Sequence, residues 1–334
     1  MRSLLFSGPD SVELIEVPTP RPTAGQALVR VEASAICGSE LHSPPGSNPG
    51  HEAAGIVEHV PDGTDFRAGQ RVGISAVTGC GRCDACRHGI QLHCAEGFQV
   101  SNSMHADYVA VPASALRALP AGISARDAVL ITGDTLGVPV RALRRVPSQR
   151  GDRVLIIGLG PIGLGHTLVR AFAGAKVVAI EPSEYRRVLA LGLGATEVLE
   201  PGADIGAAPS LVIECTGIPS CIDLALASVS AGGTVLQSGE CPSIQVSPSD
   251  TFIRREITYT GAWYYAEEDF PDMVRLYQDG LPVDKMVTHE FAADDITEAY
   301  RCFVAKQTGK VVLDWATQNG KASATSDEIQ QEPV

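Results

Sequence analysis

The sequence predicts an α/β fold that combines a β-rich part with a parallel sheet, and three observations indicate this. Residues 1–120 contain short apolar runs, among them SVELIEV and ALVRVEASAI, separated by Pro, Gly and Asp, which is typical of strands and turns. From Arg153 to Gly261, apolar strands alternate with helical segments, a rhythm that predicts right-handed crossovers and a parallel sheet. After Gly261 the pattern is mixed again, with a predicted helix in DFPDMVRLYQDG and a closing strand in KVVLDW.

Between these parts, the segment ARDAVLITGDTLGVPVRALRRV has apolar residues at helical spacing. Glycines and Pro139 interrupt that helical pattern. At the far end, residues 319–334 are polar and are predicted to be disordered.

Length and charge limit the classes of function. A chain of 334 residues has room for about two domains. Its net charge of −13, from 39 acidic against 26 basic residues, disfavours nucleic acid, since a phosphate backbone binds basic surfaces. No run is long and apolar enough for a signal peptide or a membrane span. We therefore expect a cytoplasmic protein that binds small molecules and neither nucleic acid nor membranes.

The densest motif is a cluster of four cysteines, Cys80, Cys83, Cys86 and Cys94. Cys-x2-Cys steps can place sulfurs on one tetrahedron, and thiolate is a strong zinc ligand. Four sulfurs leave no open coordination position, so such an ion would be structural. The alternative is two local disulfides, which are typical of secreted proteins. The spacing and the expected compartment favour zinc.

A glycine-rich motif, Gly158-Leu-Gly160-Pro161-Ile162-Gly163, follows a predicted strand and opens a predicted helix. In that context it predicts a dinucleotide site, and an ordinary glycine-rich turn is the weaker alternative. Gly158 permits the tight turn, Gly160 lets a pyrophosphate approach the backbone, and Gly163 lets the helix pack closely on the sheet.

The choice of dinucleotide depends on Glu181, which ends the next predicted strand. A carboxylate there binds both ribose hydroxyls of NAD and repels the 2′-phosphate of NADP. Arg186 and Arg187 lie just downstream and would compensate such a phosphate. The sequence therefore favours NAD and leaves NADP open.

Three further candidate ligands, Cys37, His51 and Asp134, are far apart in the sequence. Taken singly, each has a simpler interpretation as a buried thiol, a turn histidine or a helix-capping aspartate. Together they offer one sulfur, one imidazole and one carboxylate. Three protein ligands with an open fourth position are typical of a catalytic zinc site.

At these motifs the chain resembles the zinc-dependent medium-chain dehydrogenases/reductases, the family of alcohol, polyol and threonine dehydrogenases. The resemblance rests on CGSELH, GHE, the four cysteines, GLGPIG, ECTG and TGKVVL, and extends to about Trp315. It implies a GroES-like, β-rich catalytic domain with an inserted Rossmann domain, and an active site in the cleft between them. The implied ranges are 1–135 with a structural zinc lobe at 80–94, 136–261 for the Rossmann domain, and 262–318 for the return to the catalytic domain.

The resemblance also implies roles for single residues. Cys37, His51 and Asp134 match the ligands of a catalytic zinc. Glu52 matches a carboxylate beside the metal and competes with Asp134 for the third ligand position. Ser39 matches the hydroxyl that bonds the substrate oxygen, and His42 the relay that passes its proton to water.

The other matches concern the remaining metal site and the cofactor. The four cysteines match the structural zinc ligands, and Arg186 matches a basic residue near the adenosine ribose. Lys310 matches a basic position in the last strand. We therefore expect two zinc ions and one NAD per chain, and a homodimer or homotetramer.

The chemistry that these matches imply is the oxidation of a secondary alcohol. Zinc would act as a Lewis acid on the substrate oxygen, Ser39 would accept its proton and His42 would export it. Hydride would pass from the substrate carbon to the nicotinamide. We predict a polyol, cyclitol or sugar-like alcohol, or its ketone, as substrate. The alternative is a catalytically idle zinc-binding scaffold of the same fold.

Three departures from the family's pattern bear on these expectations. Only thirteen residues separate Cys37 from His51, so the loop that usually walls the substrate site is short and the substrate stays open. Residues 201–210 are too few for the usual crossover helix, which leaves the strand order there open. The segment after Asp134 lacks the aromatic residue or histidine often found there.

A few residues have simpler structural interpretations. The sequence leaves open whether Trp263-Tyr264-Tyr265 contacts a substrate or packs in the core. His289 is predicted to be a hydrogen-bonded strand residue. The residues predicted to be small core or helix positions are Cys215, Cys221, Cys241 and Cys302.

Overall fold

The computed structural model of the chain describes residues 1–9 and 11–316; the tail at 319–334, predicted to be disordered, lies outside them. The strands are β1 (Arg2–Gly8), β2 (Ser11–Glu16), β3 (Gln26–Ala35), β4 (Ala53–His59), β5 (Arg71–Ile74), β6 (Val77–Thr78), β7 (Gln99–Val100), β8 (Tyr108–Pro112), β9 (Leu116–Ala118), β10 (Arg153–Ile157), β11 (Lys176–Ile180), β12 (Glu197–Leu199), β13 (Leu211–Glu214), β14 (Thr234–Gln237), β15 (Thr258–Gly261), β16 (Val287–Ala292) and β17 (Lys310–Asp314). The α-helices are α1 (Asp84–Arg87), α2 (Ala125–Thr132), α3 (Asp134–Arg145), α4 (Pro161–Phe172), α5 (Glu184–Gly192), α6 (Pro219–Ser228), α7 (Phe270–Gln278) and α8 (Ile296–Val304).

A mixed sheet of seven strands has the order β16-β17-β3-β4-β5-β9, with β8 also paired to β3. β3 is its centre, because its first half pairs with β8, its last residues pair with β17, and its other edge pairs with β4. Alternate side chains of β3 are buried, as expected for a strand with one face on the core. The β-rich character predicted for the first 120 residues is confirmed.

A second sheet is parallel throughout and has the order β12-β11-β10-β13-β14-β15. Counted from its first strand this is 3-2-1-4-5-6, the Rossmann order. β10 is apolar along its whole length because both faces are covered: Val154 joins the core that includes α4, and Leu155 joins the core that includes Ile222 of α6. The doubly wound sheet is confirmed. The short segment 201–210 removes a crossover helix without changing the strand order.

The helical stretch between the two sheets divides into α2 and α3 at Gly133. A Cβ at Gly133 would lie 2.5 Å from Oε1 of Glu52, so only glycine fits at this break. Pro139 lies inside α3 and cannot bond the carbonyl of Thr135. α4 approaches that carbonyl so closely that a Cβ on Gly165 would lie 2.2 Å from it. The domain boundary expected at 135/136 falls within α3 and stays a prediction.

The chain leaves the parallel sheet through Trp263, Tyr264 and Tyr265. Tyr264 and Tyr265 are buried and stacked, with ring centroids 4.7 Å apart. The Tyr264 hydroxyl accepts a hydrogen bond from the backbone N–H of Ala76 (2.6 Å), and the Tyr265 hydroxyl donates to the carbonyl of Thr132 (2.7 Å). These two rings therefore pack in the core, and only Trp263, at 41% exposure, faces outward.

The other expectations for single elements agree with the structure. DFPDMVRLYQDG contains α7, and KVVLDW contains β17. His289 lies in β16, with Nδ1 2.9 Å from the Thr288 hydroxyl. Among the residues that the structure describes, no helix is both long and apolar enough to cross a membrane.

Candidate active site and metal centres

The four cysteines of the lobe converge on one point. Their sulfur atoms all lie within 4.8 Å of one another, and those of Cys80 and Cys86 are 4.0 Å apart. This separation is about twice a disulfide bond and close to the edge of about 3.8 Å of a tetrahedron with Zn–S bonds of about 2.3 Å. All nine cysteines of the chain are free, so none of the local disulfides considered from the sequence is present.

Backbone N–H groups point at these sulfurs and lower the pKa of Cys83 and Cys94, while burial raises the pKa of Cys86 to about 12. The amide of Cys80 lies 3.3 Å from the sulfur of Cys94, and the amide of Ala95 lies 3.5 Å from the sulfur of Cys83. Hydrogen bonds from the backbone of Ala95 and Cys86 lower the pKa of Cys83 to about 6. Four convergent thiols with such donors fit a closed structural zinc site.

The lobe is fixed to the rest of the molecule by Gln91, which is 4% exposed. Its amide nitrogen donates to the carbonyl of Tyr265 (3.2 Å), and its amide oxygen accepts from the N–H of Glu267 (2.8 Å). The N–H of Glu268 also donates to the carbonyl of Gly89 (3.1 Å). The lobe thus packs on the segment through which the chain leaves the parallel sheet.

The second set of candidate ligands also converges, although its members come from three remote segments. Cys37 follows the end of β3 and His51 precedes β4, and because these strands are antiparallel neighbours, the two residues lie at the same edge of the sheet. Asp134 is the first residue of α3. Its Oδ2 lies 3.2 Å from Nε2 of His51 and 3.8 Å from the sulfur of Cys37.

The imidazole of His51 is oriented for a metal. Its Nδ1 lies 3.0 Å from the carbonyl of Pro49 and donates to it, because a carbonyl only accepts. Nε2 is therefore the nitrogen left to bind an ion. Burial lowers the pKa of His51, but hydrogen bonds and charges from Asp134 and Cys37 outweigh burial and raise it well above its usual value. Such a concentration of anionic donors around one imidazole suits a cation.

The two carboxylates that compete for the third ligand position have different surroundings. Oδ1 of Asp134 is buried and has no hydrogen-bond partner among the residues that the structure describes. Glu52 is fully buried and paired with Lys310, and it also accepts from the N–H of Thr135 (3.3 Å). Burial raises the pKa of Glu52, while the charge of Lys310 opposes that rise. Asp134 therefore has a free oxygen at the cluster and Glu52 is already neutralised.

Ser39 and His42 lie on one 3-10 turn, Gly38–His42, directly after Cys37. The hydroxyl of Ser39 is 3.3 Å from the sulfur of Cys37, so it borders the ligand cluster. Both Ser39 and His42 are exposed to solvent. The structure brings Ser39 to the cluster and leaves His42 at its outer side.

Sequence reasoning assigned no role to two buried polar residues behind the cluster, Glu40 and His105. Glu40 accepts hydrogen bonds from the N–H of Cys37 (3.1 Å), the hydroxyl of Tyr300 (2.5 Å) and the ring of His105 (3.1 Å). Burial would raise the pKa of Glu40, but the charge and hydrogen bond of His105 help to lower it overall. His105 belongs to no motif, and a lone histidine three residues before β8 gives no signal in the sequence.

The glycine motif has the geometry expected of a dinucleotide loop. Gly158 has a φ of +89°, which favours glycine. A Cβ on Gly163 would lie 1.9 Å from the carbonyl oxygen of Gly158, so the helix needs glycine at this close approach. A Cβ on Gly160 would meet nothing within 4 Å, so the space beside it is open. The N-terminus of α4 faces that space through Pro161 and Ile162.

Glu181 follows β11 and is 4% exposed. Its carboxylate accepts from the N–H of Leu159 (2.7 Å) and of Ser183 (3.0 Å), so it lies against the glycine loop. Arg186 turns away from that loop and donates to the carbonyl of Thr308 (3.1 Å). Arg187 is held by carbonyls at 181 and 182 and by the carboxylate of residue 200. Neither arginine side chain is thus free in this structure to meet a 2′-phosphate.

A cleft of about 500 Å³ lies between the lobe, α3 and the ends of β14 and β15. Arg141, Arg145, Ser238, Gly239 and Trp263 are among the residues that line it. The cluster of Cys37, His51 and Asp134 is at the other end of α3, since Asp134 lies about 10 to 16 Å along the helix from Arg141 and Arg145. Trp263 therefore faces this cleft, where its ring lies 5.0 Å from that of Phe98.

Comparison with known proteins supports what the geometry indicates. Residues 23–121 match the alcohol dehydrogenase GroES-like domain, and residues 161–279 match the zinc-binding dehydrogenase domain. The chain is 32% identical to L-threonine 3-dehydrogenase of Pyrococcus abyssi, over 90% of this chain and 94% of that protein. It is 28% identical to L-galactonate-5-dehydrogenase of Escherichia coli K12, with the same coverage of both chains.

A solved structure has the same overall fold. An alcohol dehydrogenase from Escherichia coli CFT073, solved with the cofactor NADH, superimposes with a TM-score of 0.84. It is 25% identical in sequence, over 94% of this chain and 99% of that one.

Because the two cysteine-containing sites have different surroundings, we expect a cysteine substitution to have a different effect in each. We expect Cys37→Ser to leave a folded protein that keeps the lobe zinc and loses the other ion. Cys83→Ser should lower the thermal midpoint by about 5 °C or more, because it opens a closed site whose binding energy supports folding. Elemental analysis and calorimetry measure both effects, with Cys302→Ser as the control outside both clusters. Full metal content in the Cys37→Ser protein would contradict the assignment.

The two competing carboxylates can also be separated. Asp134→Asn should lose the metal held with Cys37 and His51 on dialysis. Glu52→Gln should retain more of it but lose about 3 kcal/mol of unfolding free energy, since it leaves the charge of buried Lys310 unpaired. Zinc content and urea denaturation provide the two readouts. If only the Glu52 variant lost metal, the two roles would be exchanged.

Proposed function

The chain belongs to the zinc-dependent medium-chain dehydrogenase/reductase family, and from this premise we propose that it interconverts a secondary alcohol and its ketone with NAD. Membership makes the chain a zinc-dependent dehydrogenase of the alcohol and polyol type. The substrate class, the cofactor, the number of ions and the roles of single residues are the proposal.

One observation carries the proposal: a thiol, an imidazole and a carboxylate converge at the edge of the mixed sheet, and within the described part of the chain Oδ1 of Asp134 has no hydrogen-bond partner. Three such donors suit a catalytic zinc ion with an open fourth position. Asp134 is proposed as the third ligand because Glu52 is already paired with Lys310. The four cysteines of the lobe would hold a second, structural zinc.

Bound zinc would supply Lewis acidity to the substrate oxygen and so lower the pKa of the hydroxyl. Ser39, next to Cys37, would accept the hydroxyl proton. His42 would pass that proton to water, since it lies on the same turn and is exposed. Lys310 would hold Glu52 in its ionised form behind the ligands.

The reaction balances with NAD as the oxidant. The carbon of the alcohol gives a hydride to the nicotinamide ring and its hydroxyl gives a proton, so the products are the ketone, NADH and one proton. Dinucleotides bind at the carboxyl ends of parallel strands, where the Gly158 loop and Glu181 lie. The NADH complex of the similar alcohol dehydrogenase supports this choice.

The substrate proposed is a polyol, cyclitol or sugar-like secondary alcohol. The names of the relatives support this, since they include a threonine and a galactonate dehydrogenase. A screen of secondary alcohols and ketones with NAD and NADP, on protein of measured zinc content, tests it. Turnover of simple primary alcohols alone would contradict the class. One zinc per chain and no turnover would indicate the idle scaffold.

Self-association is a further part of the proposal, as a homodimer or homotetramer. It is supported by β15, which is an edge strand of the parallel sheet in the described part of the chain, and by exposed apolar residues near it, Ile253 at 70% and Tyr259 at 36%. Light scattering should give two or four chains for the wild type. Tyr259→Lys should shift the mass downward and Tyr185→Lys, on α5, should not. A monomeric wild-type protein would contradict the proposal.

Glu181 gives the sharpest test of cofactor choice. Glu181→Ala should reduce the preference for NAD over NADP about tenfold, the effect of losing a hydrogen bond to a charged group. Glu184→Ala is the matched control, because it removes an exposed carboxylate from the same region. The ratio of kcat/KM for the two cofactors is the measurement. A wild-type preference for NADP would mean that Arg186 or Arg187 reorients towards a phosphate.

A further inference from the structure

His105 is fully buried, and both nitrogens of its ring have partners. Nδ1 lies 2.7 Å from the hydroxyl oxygen of Ser34, and Nε2 lies 3.1 Å from Oε2 of Glu40. The indole N–H of Trp315 donates to the same hydroxyl oxygen (2.8 Å). A chain of hydrogen bonds thus runs from Trp315 through Ser34 and His105 to Glu40.

The donors and acceptors of this chain fix its direction. An indole N–H only donates, so the oxygen of Ser34 accepts from Trp315 and the hydroxyl proton is free to go to Nδ1 of His105. Nδ1 is then an acceptor and the ring carries its proton on Nε2. Because the carboxylate of Glu40 accepts, that proton lies between His105 and Glu40.

Glu40 connects this chain to the candidate zinc ligands. Its Oε1 accepts from the N–H of Cys37 (3.1 Å) and lies 3.8 Å from Nδ1 of His51. The ring of His105 also packs on the residue before His51, because a Cβ on Gly50 would lie 2.5 Å from the ring. His105 therefore reaches both ligand-bearing segments, one by a hydrogen bond through Glu40 and one by direct contact.

We propose that His105 is a positioning residue that, through Glu40 and Gly50, holds Cys37 and His51 at the separation a metal ion requires. This rests on the proposed catalytic zinc site. A buried histidine with a purely space-filling role would be replaceable by phenylalanine, whose ring fits the same volume. Phenylalanine would, however, leave Ser34 without an acceptor and Glu40 with one donor fewer. Loss of such an outer partner typically weakens metal binding 10- to 100-fold.

The test compares three purified full-length variants with the wild type. His105→Phe should bind the second zinc 10- to 100-fold more weakly in chelator competition. His105→Gln, which can still donate to Glu40, should recover most of that affinity. His166→Phe is the control: His166 is equally buried but lies on α4 and bonds Ser238. It should lower stability without changing either zinc affinity. The lobe zinc serves as an internal reference in every sample.

A spectroscopic readout separates positioning from general loss of structure. With cobalt in the second site, His105→Phe should shift the d–d absorption bands, whereas His105→Gln should keep the wild-type spectrum. If His105→Phe does not fold, Trp315→Phe provides the second route, because it removes only the donor to Ser34 and should weaken zinc by a smaller factor.

The outcomes distinguish this inference from the proposed function. A wild-type protein without a tight second zinc would overturn the proposed catalytic site itself. A wild-type protein with two zinc ions, together with a folded His105→Phe protein of unchanged zinc affinity and cobalt spectrum, would overturn the role of His105 alone.

Discussion

The antiparallel pairing of β17 with β3 is the constraint on which the candidate catalytic centre depends. The register places Leu313 opposite Ser34 and Val312 opposite Ala35. Ala35 is two residues before Cys37, so the pairing ends next to this candidate ligand. Because β17 comes after the whole parallel sheet, the chain must return to its first domain to form this pair. The pairing brings Lys310 to Glu52 and the indole of Trp315 to Ser34.

That return explains why so many polar groups are buried behind the ligands. Glu40, Glu52, His105 and Lys310 are all essentially inaccessible, and each has a charged or hydrogen-bonded partner. A buried ion pair contributes little net stability against an apolar pair of the same volume. Such a pair instead fixes the positions of its two side chains, because separating them would leave a buried charge without a partner. The polar core beside the cluster therefore holds backbone segments in one register.

A second constraint comes from the glycines of the loop after β10 and of α4, where neighbouring backbone segments approach closely. Gly158 needs its positive φ, Gly163 touches the carbonyl of Gly158, and Gly165 lets α4 pack against α3. The last contact matters beyond the sheet, because α3 begins with Asp134. The helix that packs on the cofactor domain thus also carries a carboxylate to the cluster of the other domain.

Much of this could be predicted from the sequence, because it depends on neighbours in the chain. Period-2 and period-3.6 patterns gave both sheets, and the spacing of Cys80 to Cys94 and of the glycine motif indicated a metal lobe and a dinucleotide loop. Only the tertiary structure decided that Asp134 has a free oxygen while Glu52 is taken by Lys310, and that His105 lies behind Glu40. These contacts join residues up to 258 positions apart in the sequence. Local periodicity carries no information about which side chains meet when segments so far apart pack together.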